Sequence, residues 1–292
     1  MKYLSILFLL LFIFISCEDV IDVDSGFEES QIVIDAWITN QSSTQIITLT
    51  ESQDYFDNRL PTPIENALVT VTNGSVIHQF EDVGDGKYSW TPGMNQTIGD
   101  VGNTMVLNVA VGEKSYIAQT EIDPVPEIDS IKIFFEDQVI GVDEEELFAE
   151  LYARDLPGVG NTYWVKSYKN DTLLNRPLEL NLIYDATFEA GTNLDGVTFI
   201  RPLRFAVNAL DDNGIPQSLN LGDKVRCEIY SISYEAFQFL QIVKEQATNG
   251  DSGIFARPIA NSKGNIYNIS TEERVLGIFN VAEMSAMEKI VE

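Results

Sequence analysis

The residues able to do covalent or acid–base chemistry in this 292-residue chain are few in kind: one histidine, His78, two cysteines, Cys17 and Cys227, and 45 acids. A single histidine rules out a zinc site built from several imidazoles, and any Ser-His-Asp or Cys-His arrangement has to use His78 itself. It sits in Ser75-Val76-Ile77-His78-Gln79-Phe80, where it reads as a solvent-facing strand residue beside a turn rather than a base. Cys227, in Lys224-Val225-Arg226-Cys227-Glu228-Ile229-Tyr230, reads as a small buried hydrophobe, since a cysteine nucleophile wants a histidine nearby. The sequence contains no Gly-x-Ser-x-Gly elbow, His-Glu-x-x-His motif or phosphate loop. Asp143-Glu144-Glu145-Glu146 and Asp211-Asp212-Asn213-Gly214 offer oxygens to calcium but lack the spacing of an EF-hand loop, so they read as solvated loops and no metal site is assigned. A hydrolase would need two carboxylates held about 5–10 Å apart. Nothing beyond the abundance of acids points to such a pair, so a carboxylate-based hydrolase ranks last.

The chemistry at Cys17 is of another sort. Met1 and Lys2 make a short positive start, Tyr3 to Ile15 are almost all apolar, and the small Ser16 precedes the cysteine. Residues 1–16 read as a secretory signal peptide. The apolar run is shorter than the about 20 residues a membrane-spanning helix needs. Ser16-Cys17 resembles a bacterial lipobox, with Phe14 where leucine is usual, which implies cleavage before Cys17 and palmitate-type acylation of it. Each buried acyl CH₂ contributes about 0.8 kcal/mol, so several chains on one cysteine hold a domain on a bilayer. Glu18 and Asp19 resemble the acidic export signal of Bacteroidota surface lipoproteins, which implies an outer-membrane location facing outward. The alternatives are a plain signal or membrane anchor with an incidental cysteine, and an acidic tether over 17–30 that merely continues through Asp22, Asp24, Glu28 and Glu29. With Cys17 consumed by lipid and Cys227 alone, no disulfide framework is expected.

Without residues 1–16 the chain has 276 residues, 17 Lys+Arg against 45 Asp+Glu, and a net charge of −28. Such a chain repels phosphate backbones, and nucleic acid is not an expected partner. A hydrophobic fraction of 45% supports real cores. No cofactor is expected.

The elements that would carry these residues are mainly strands. Alternation and turn residues predict strands at 31–38, 45–51, 67–72, 76–81, 87–90, 105–111 and 115–122, with Asn73-Gly74 a hairpin turn. That pattern predicts an immunoglobulin-like β-sandwich over 31–123. Asp123-Pro124-Val125-Pro126-Glu127 places a joint at 124–127. A β-rich domain over 128–292 follows, with strands expected at 128–135, 147–154, 163–168, 179–183, 199–207, 224–231 and 275–281. The segment 147–154 is open to a helical reading, which its neighbour 163–168 argues against. One helix is expected over 234–248, capped by Ser233, with Ala236, Leu240, Val243 and Ala247 on one stripe against a sheet. Tyr163, Trp164 and Tyr168 are candidates to meet a sugar or partner, with core packing the safer reading, and Tyr55 and Phe56 lie in a polar loop.

The order of IVIDAWITN, ALVTVTN, the GDGKY turn, a proline joint before IDSI, then IFARPIANSKGNIYN and LGIFNVAEMSA resembles the Bacteroidota lipoproteins of the domain of unknown function 4249 family. The resemblance implies a surface accessory protein beside a TonB-dependent β-barrel transporter, serving nutrient import or envelope assembly without catalysis of its own. A free-standing adhesin that binds glycan or protein is the alternative. Asp129-Ser130-Ile131 and Asp171-Thr172-Leu173 resemble the short O-glycosylation signal of exported Bacteroidota proteins, which makes Ser130 and Thr172 candidate acceptors.

Overall fold

The computed structural model describes residues 30–53, 57, 59–136, 146–188, 194–248, 261–262 and 264–292. The protein is mainly β. Its first seven strands are β1 Ile32–Thr39, β2 Gln45–Glu51, β3 Leu68–Asn73, β4 Val76–Asp82, β5 Lys87–Trp90, β6 Thr104–Val111 and β7 Lys114–Glu121. All fall within a residue or two of expectation. Period-2 alternation sends Ile32, Ile34, Ala36 and Ile38 of β1 inward, to meet Leu49, Val71, Tyr88 and Leu107 in one core. The sheet folds over at β4. Its residues 76–80 pair with β3, whereas Glu81 and Asp82 pair with β5, so one strand serves both layers.

Two late strands complete this sheet. Tyr267–Asn268 (β14) pairs with β7, and Leu276–Ala282 (β15) runs parallel to β1 with Val33 opposite Leu276 and Thr39 opposite Ala282. The seven-stranded unit expected to end at 123 is thus part of a nine-stranded sheet that crosses the proline joint. The physical reason lies in β1. Without β15 its full edge would stand unpaired. β15 is the sheet's edge strand, yet both of its faces are buried. The outer edge of β15 is covered in turn by Asn265, whose side chain donates to the Phe279 carbonyl at 2.8 Å and accepts from the Phe279 N–H at 2.9 Å.

Beyond the joint, β8 Ile128–Glu136 and β9 Glu146–Ala153 form a ribbon, so the segment open to a helical reading is a strand. The second sheet has the order β11 Thr172–Leu173, β10 Thr162–Lys169, β13 Lys224–Ser231, β16 Met284–Ile290, with β12 Asn181–Tyr184 also beside β10. The strand expected at 199–207 is instead a short helix, α1 Arg201–Phe205. Pro202 sits in its first turn, where a missing N–H costs nothing and the fixed φ suits a helix.

The expected helix is present as α2, Tyr234–Thr248. Ser233 Oγ accepts the Ala236 N–H at 3.2 Å and caps it. Ala236 and Leu240 of the expected stripe are buried, joined by Phe237, while Val243 is half-buried and Ala247 exposed. These residues pack on Leu182, Ile232 and Ile278, so α2 wedges between the two sheets. Among the described residues, no helix is long and apolar enough to cross a membrane.

Candidate functional site

The site arises from the register of β10 and β13. Alternation puts Tyr163, Val165 and Ser167 into the second core opposite Ser231, Ile229 and Cys227. The other face of the same two strands then carries three cross-strand pairs, Trp164 with Tyr230, Lys166 with Glu228, and Tyr168 with Arg226. This outer face meets the outer face of β1 through Trp37, whose ring stands edge-on to Trp164 with centroids 5.2 Å apart. Between them opens a cleft of about 550 Å³, its far wall formed by the hydroxyl- and amide-rich segment from Thr39 to Gln45. That volume lies within the range of about 300–1,000 Å³ usual for small-ligand sites.

The charges in the cleft are not paired as the register would suggest. Glu228, which is buried, takes Arg226 as its ion partner and accepts hydroxyl hydrogen bonds from Tyr168 at 2.9 Å and Tyr230 at 2.6 Å. Its cross-strand neighbour Lys166 turns away and lays its ammonium over Trp164, 4.1 Å from the ring centroid, and over Tyr230 at 4.4 Å. Among the described residues Lys166 has no carboxylate within ion-pair distance and no hydrogen-bond acceptor, and the Trp164 indole N–H has none either. Burial lowers the Lys166 pKa to about 8, against the opposing pull of Asp35 on β1. Asp35 is exposed and is not among the residues that line the cleft. Desolvation by the surrounding protein raises its carboxyl, while the Lys166 charge and the Trp37 side chain oppose the rise.

A second cleft, of about 680 Å³, lies between β7, the turn at 160–162 and the start of α2. It gathers Glu121, Asp123 and Glu235, and the Asp123 carboxyl is pushed up by burial and then by those two neighbours. Arg274 lines it too, but its Nε–H already donates to the Tyr267 hydroxyl at 2.8 Å. Its mutually repelling acids make this the poorer candidate.

The residues singled out in the sequence are dispersed. Cys17, Glu18, Asp19, Tyr55, Phe56 and Asp143–Glu145 lie outside the described residues, and Glu146 opens β9. Cys227 is fully buried, and burial pushes its thiol up to about 12. His78 is not solvent-facing: it is half-buried and edge-on to Trp90 at 4.6 Å, and burial lowers its pKa. Alternation places it on the same face of β4 as the buried Phe80, and Trp90, which also packs on Phe80, folds over it. Asp211 Oδ1 accepts the N–H groups of Asn213 and Ile215, both at 2.8 Å, so that loop turns on its own acid. Ser130 is half-buried at a register irregularity in β8, and Thr172 is exposed just after Asn170 and Asp171, both in left-handed conformations. Tyr163 is buried, its hydroxyl donating to Asp155 at 2.8 Å, while Trp164 and Tyr168 face the other way.

Sequence reasoning missed Trp37, Lys166 and Tyr230 as partners. The alternation of YWVKSY and KVRCEIY places their residues on faces, but only the register aligns Trp164 with Tyr230, and only the meeting of the sheets brings Trp37 to them.

The architecture is that of a mainly β protein whose two sheets meet at an aromatic cleft lined by one cation, Lys166, which no carboxylate among the described residues pairs. The chain belongs to the family described as domain of unknown function (DUF4249), whose model matches residues 18–286. No curated protein matches it.

Proposed function

We propose that this is a lipid-anchored outer-membrane binding protein, acylated at Cys17 and carried to the extracellular face by Glu18 and Asp19. It works without catalysis, as an accessory subunit of a TonB-dependent transporter or another outer-membrane β-barrel complex, in nutrient import or envelope assembly. The observation that carries the binding role is the cleft at Trp37, Trp164 and Lys166, which gathers rings and unspent donors where two sheets meet. The N-terminal signal and the resemblance to Bacteroidota lipoproteins support the location and the barrel partner. The same cleft also favours a second reading, a free-standing surface adhesin that holds glycan or protein. O-glycosylation belongs to the proposal at Thr172, which is exposed, more readily than at Ser130.

The deciding experiment is a mild-detergent pull-down of the C-terminally tagged protein from native outer membranes, with mass spectrometry of what accompanies it. A stoichiometric β-barrel is the expected result. Recovery of the lipoprotein alone overturns the accessory role in favour of the adhesin.

A further inference from the structure

We propose that the cleft between β1 and the β10–β13 face binds a carboxylate-bearing saccharide, with Lys166 as the carboxylate's partner. This rests on the cleft being a ligand site and does not depend on a barrel partner.

Three features of the cleft point to that class. One wall is aromatic: Trp37, Trp164 and Tyr230 are all half-buried, leaving ring surface for the apolar face of a sugar. The opposite wall, including Gln41, Ser42 and Ser43, offers hydroxyl and amide groups to a polyhydroxylated ligand. Between the walls are two donors without protein acceptors among the described residues, the Lys166 ammonium and the Trp164 indole N–H.

The neighbouring charges leave Lys166 free for a ligand. Glu228, directly across the strand, is committed to Arg226, Tyr168 and Tyr230. Asp35 is near enough to be felt by Lys166 but forms no ion pair with it. The ammonium is therefore held by ring faces and the attraction of Asp35, with no ion pair or hydrogen bond to break before an anion binds. A carboxylate accepting from both Lys166 and Trp164 would gain charge-assisted hydrogen bonds in a partly desolvated site. The acidity of the whole chain sets a bound on the ligand. A dense polyanion is repelled, whereas an isolated carboxylate feels mainly charges within the Debye length of about 8 Å at physiological ionic strength.

Titration calorimetry of the full-length lipidated protein in detergent tests this. The probes are cellobiouronate, a disaccharide with one carboxylate, the same disaccharide with that carboxyl reduced, and a short neutral peptide with a free C-terminal carboxylate. Wild type is expected to bind cellobiouronate at least tenfold more tightly than the reduced sugar. Lys166→Met should erase that preference while leaving binding of the reduced sugar and the thermal midpoint unchanged, Lys166→Arg should restore most of it, and Trp164→Ala should weaken both sugars. Equal binding of the two sugars, with Lys166→Met silent, overturns the acidic class and leaves the cleft as a ligand site. Lys166-dependent binding of the peptide alone overturns the saccharide. Failure of all three probes to bind overturns the cleft proposal, and the pull-down still decides the barrel association separately.

Discussion

Gly264 and Gly277 approach so closely that a β-carbon on Gly264 would enter the carbonyl group of Gly277, and one on Gly277 would enter the Ile34 backbone. Gly277 also has φ +103°, a region that side chains strain to occupy. The two glycines let the 264–266 segment lie over β15 and β15 lie against β1. Gly277→Ala is expected to destabilise the protein by roughly 3 kcal/mol or more, combining backbone strain with overpacking. Urea unfolding would measure this, and an unchanged midpoint would show that the approach is dispensable.

Glu150 on β9 gives a pH prediction. It is buried and receives Nε–H bonds from Arg201 at 2.9 Å and Arg204 at 3.1 Å. Burial by itself raises its pKa, but hydrogen bonds from Tyr152, Arg201 and Arg204 outweigh that and hold it below the ordinary 4.5. A depressed folded-state pKa stabilises the fold fully above the unfolded value and progressively less as pH falls through the folded one. Glu150→Gln is expected to lose about 1–3 kcal/mol at neutral pH. Its stability should also decline less steeply than wild type as pH drops below 4.5. Parallel acid limbs for the two proteins would refute the assignment.

The cap on α2 provides a smaller and cleaner effect. Ser233→Ala removes the acceptor for the Ala236 N–H and should cost about 1 kcal/mol, whereas Ser233→Gly should cost only a few tenths. Thermal melts of the two variants should therefore separate in that order, and the reverse order would show that the serine hydroxyl does not act as the cap.

The proposed anchor is tested by labelling. Cells fed an alkyne palmitate analogue are expected to label the wild-type protein, and Cys17→Ala should lose both the label and membrane retention. The double variant Glu18→Gln, Asp19→Asn should keep the label and lose accessibility to protease added outside the cell. Retained accessibility would assign those acids to a solvated tether only.

Much of the fold was legible in the sequence because its strands are short, alternating and bounded by turn residues. QIITLTE and KVRCEIYS state both their faces and their ends, and Ser233 announces α2. Pairing was less legible. Nothing local in LGIFNVA says that it runs parallel beside IVIDAWIT, since that contact spans nearly the whole chain. The stretch around Pro202 misled through its flanking Phe199 and Ile200, which are apolar as a strand would be, although the proline suits a first helical turn. The site was legible only as types and faces. Trp164 could be noted, but its relation to Trp37 exists only once two sheets from distant sequence are pressed together.

The neighbours of β1 have a mechanical consequence. Ile32–Asp35 are paired with β2, while Val33–Thr39 are paired with β15 on the opposite edge. A pull on the chain ahead of Ile32, directed along the strand, loads both ladders in shear at once, so their hydrogen bonds must fail together and not one after another as in an unzipping hairpin. Forced unfolding is governed by the height of the barrier rather than by equilibrium stability. β1 is therefore a clamp against tension, fastened on one edge by a strand made much later in the chain.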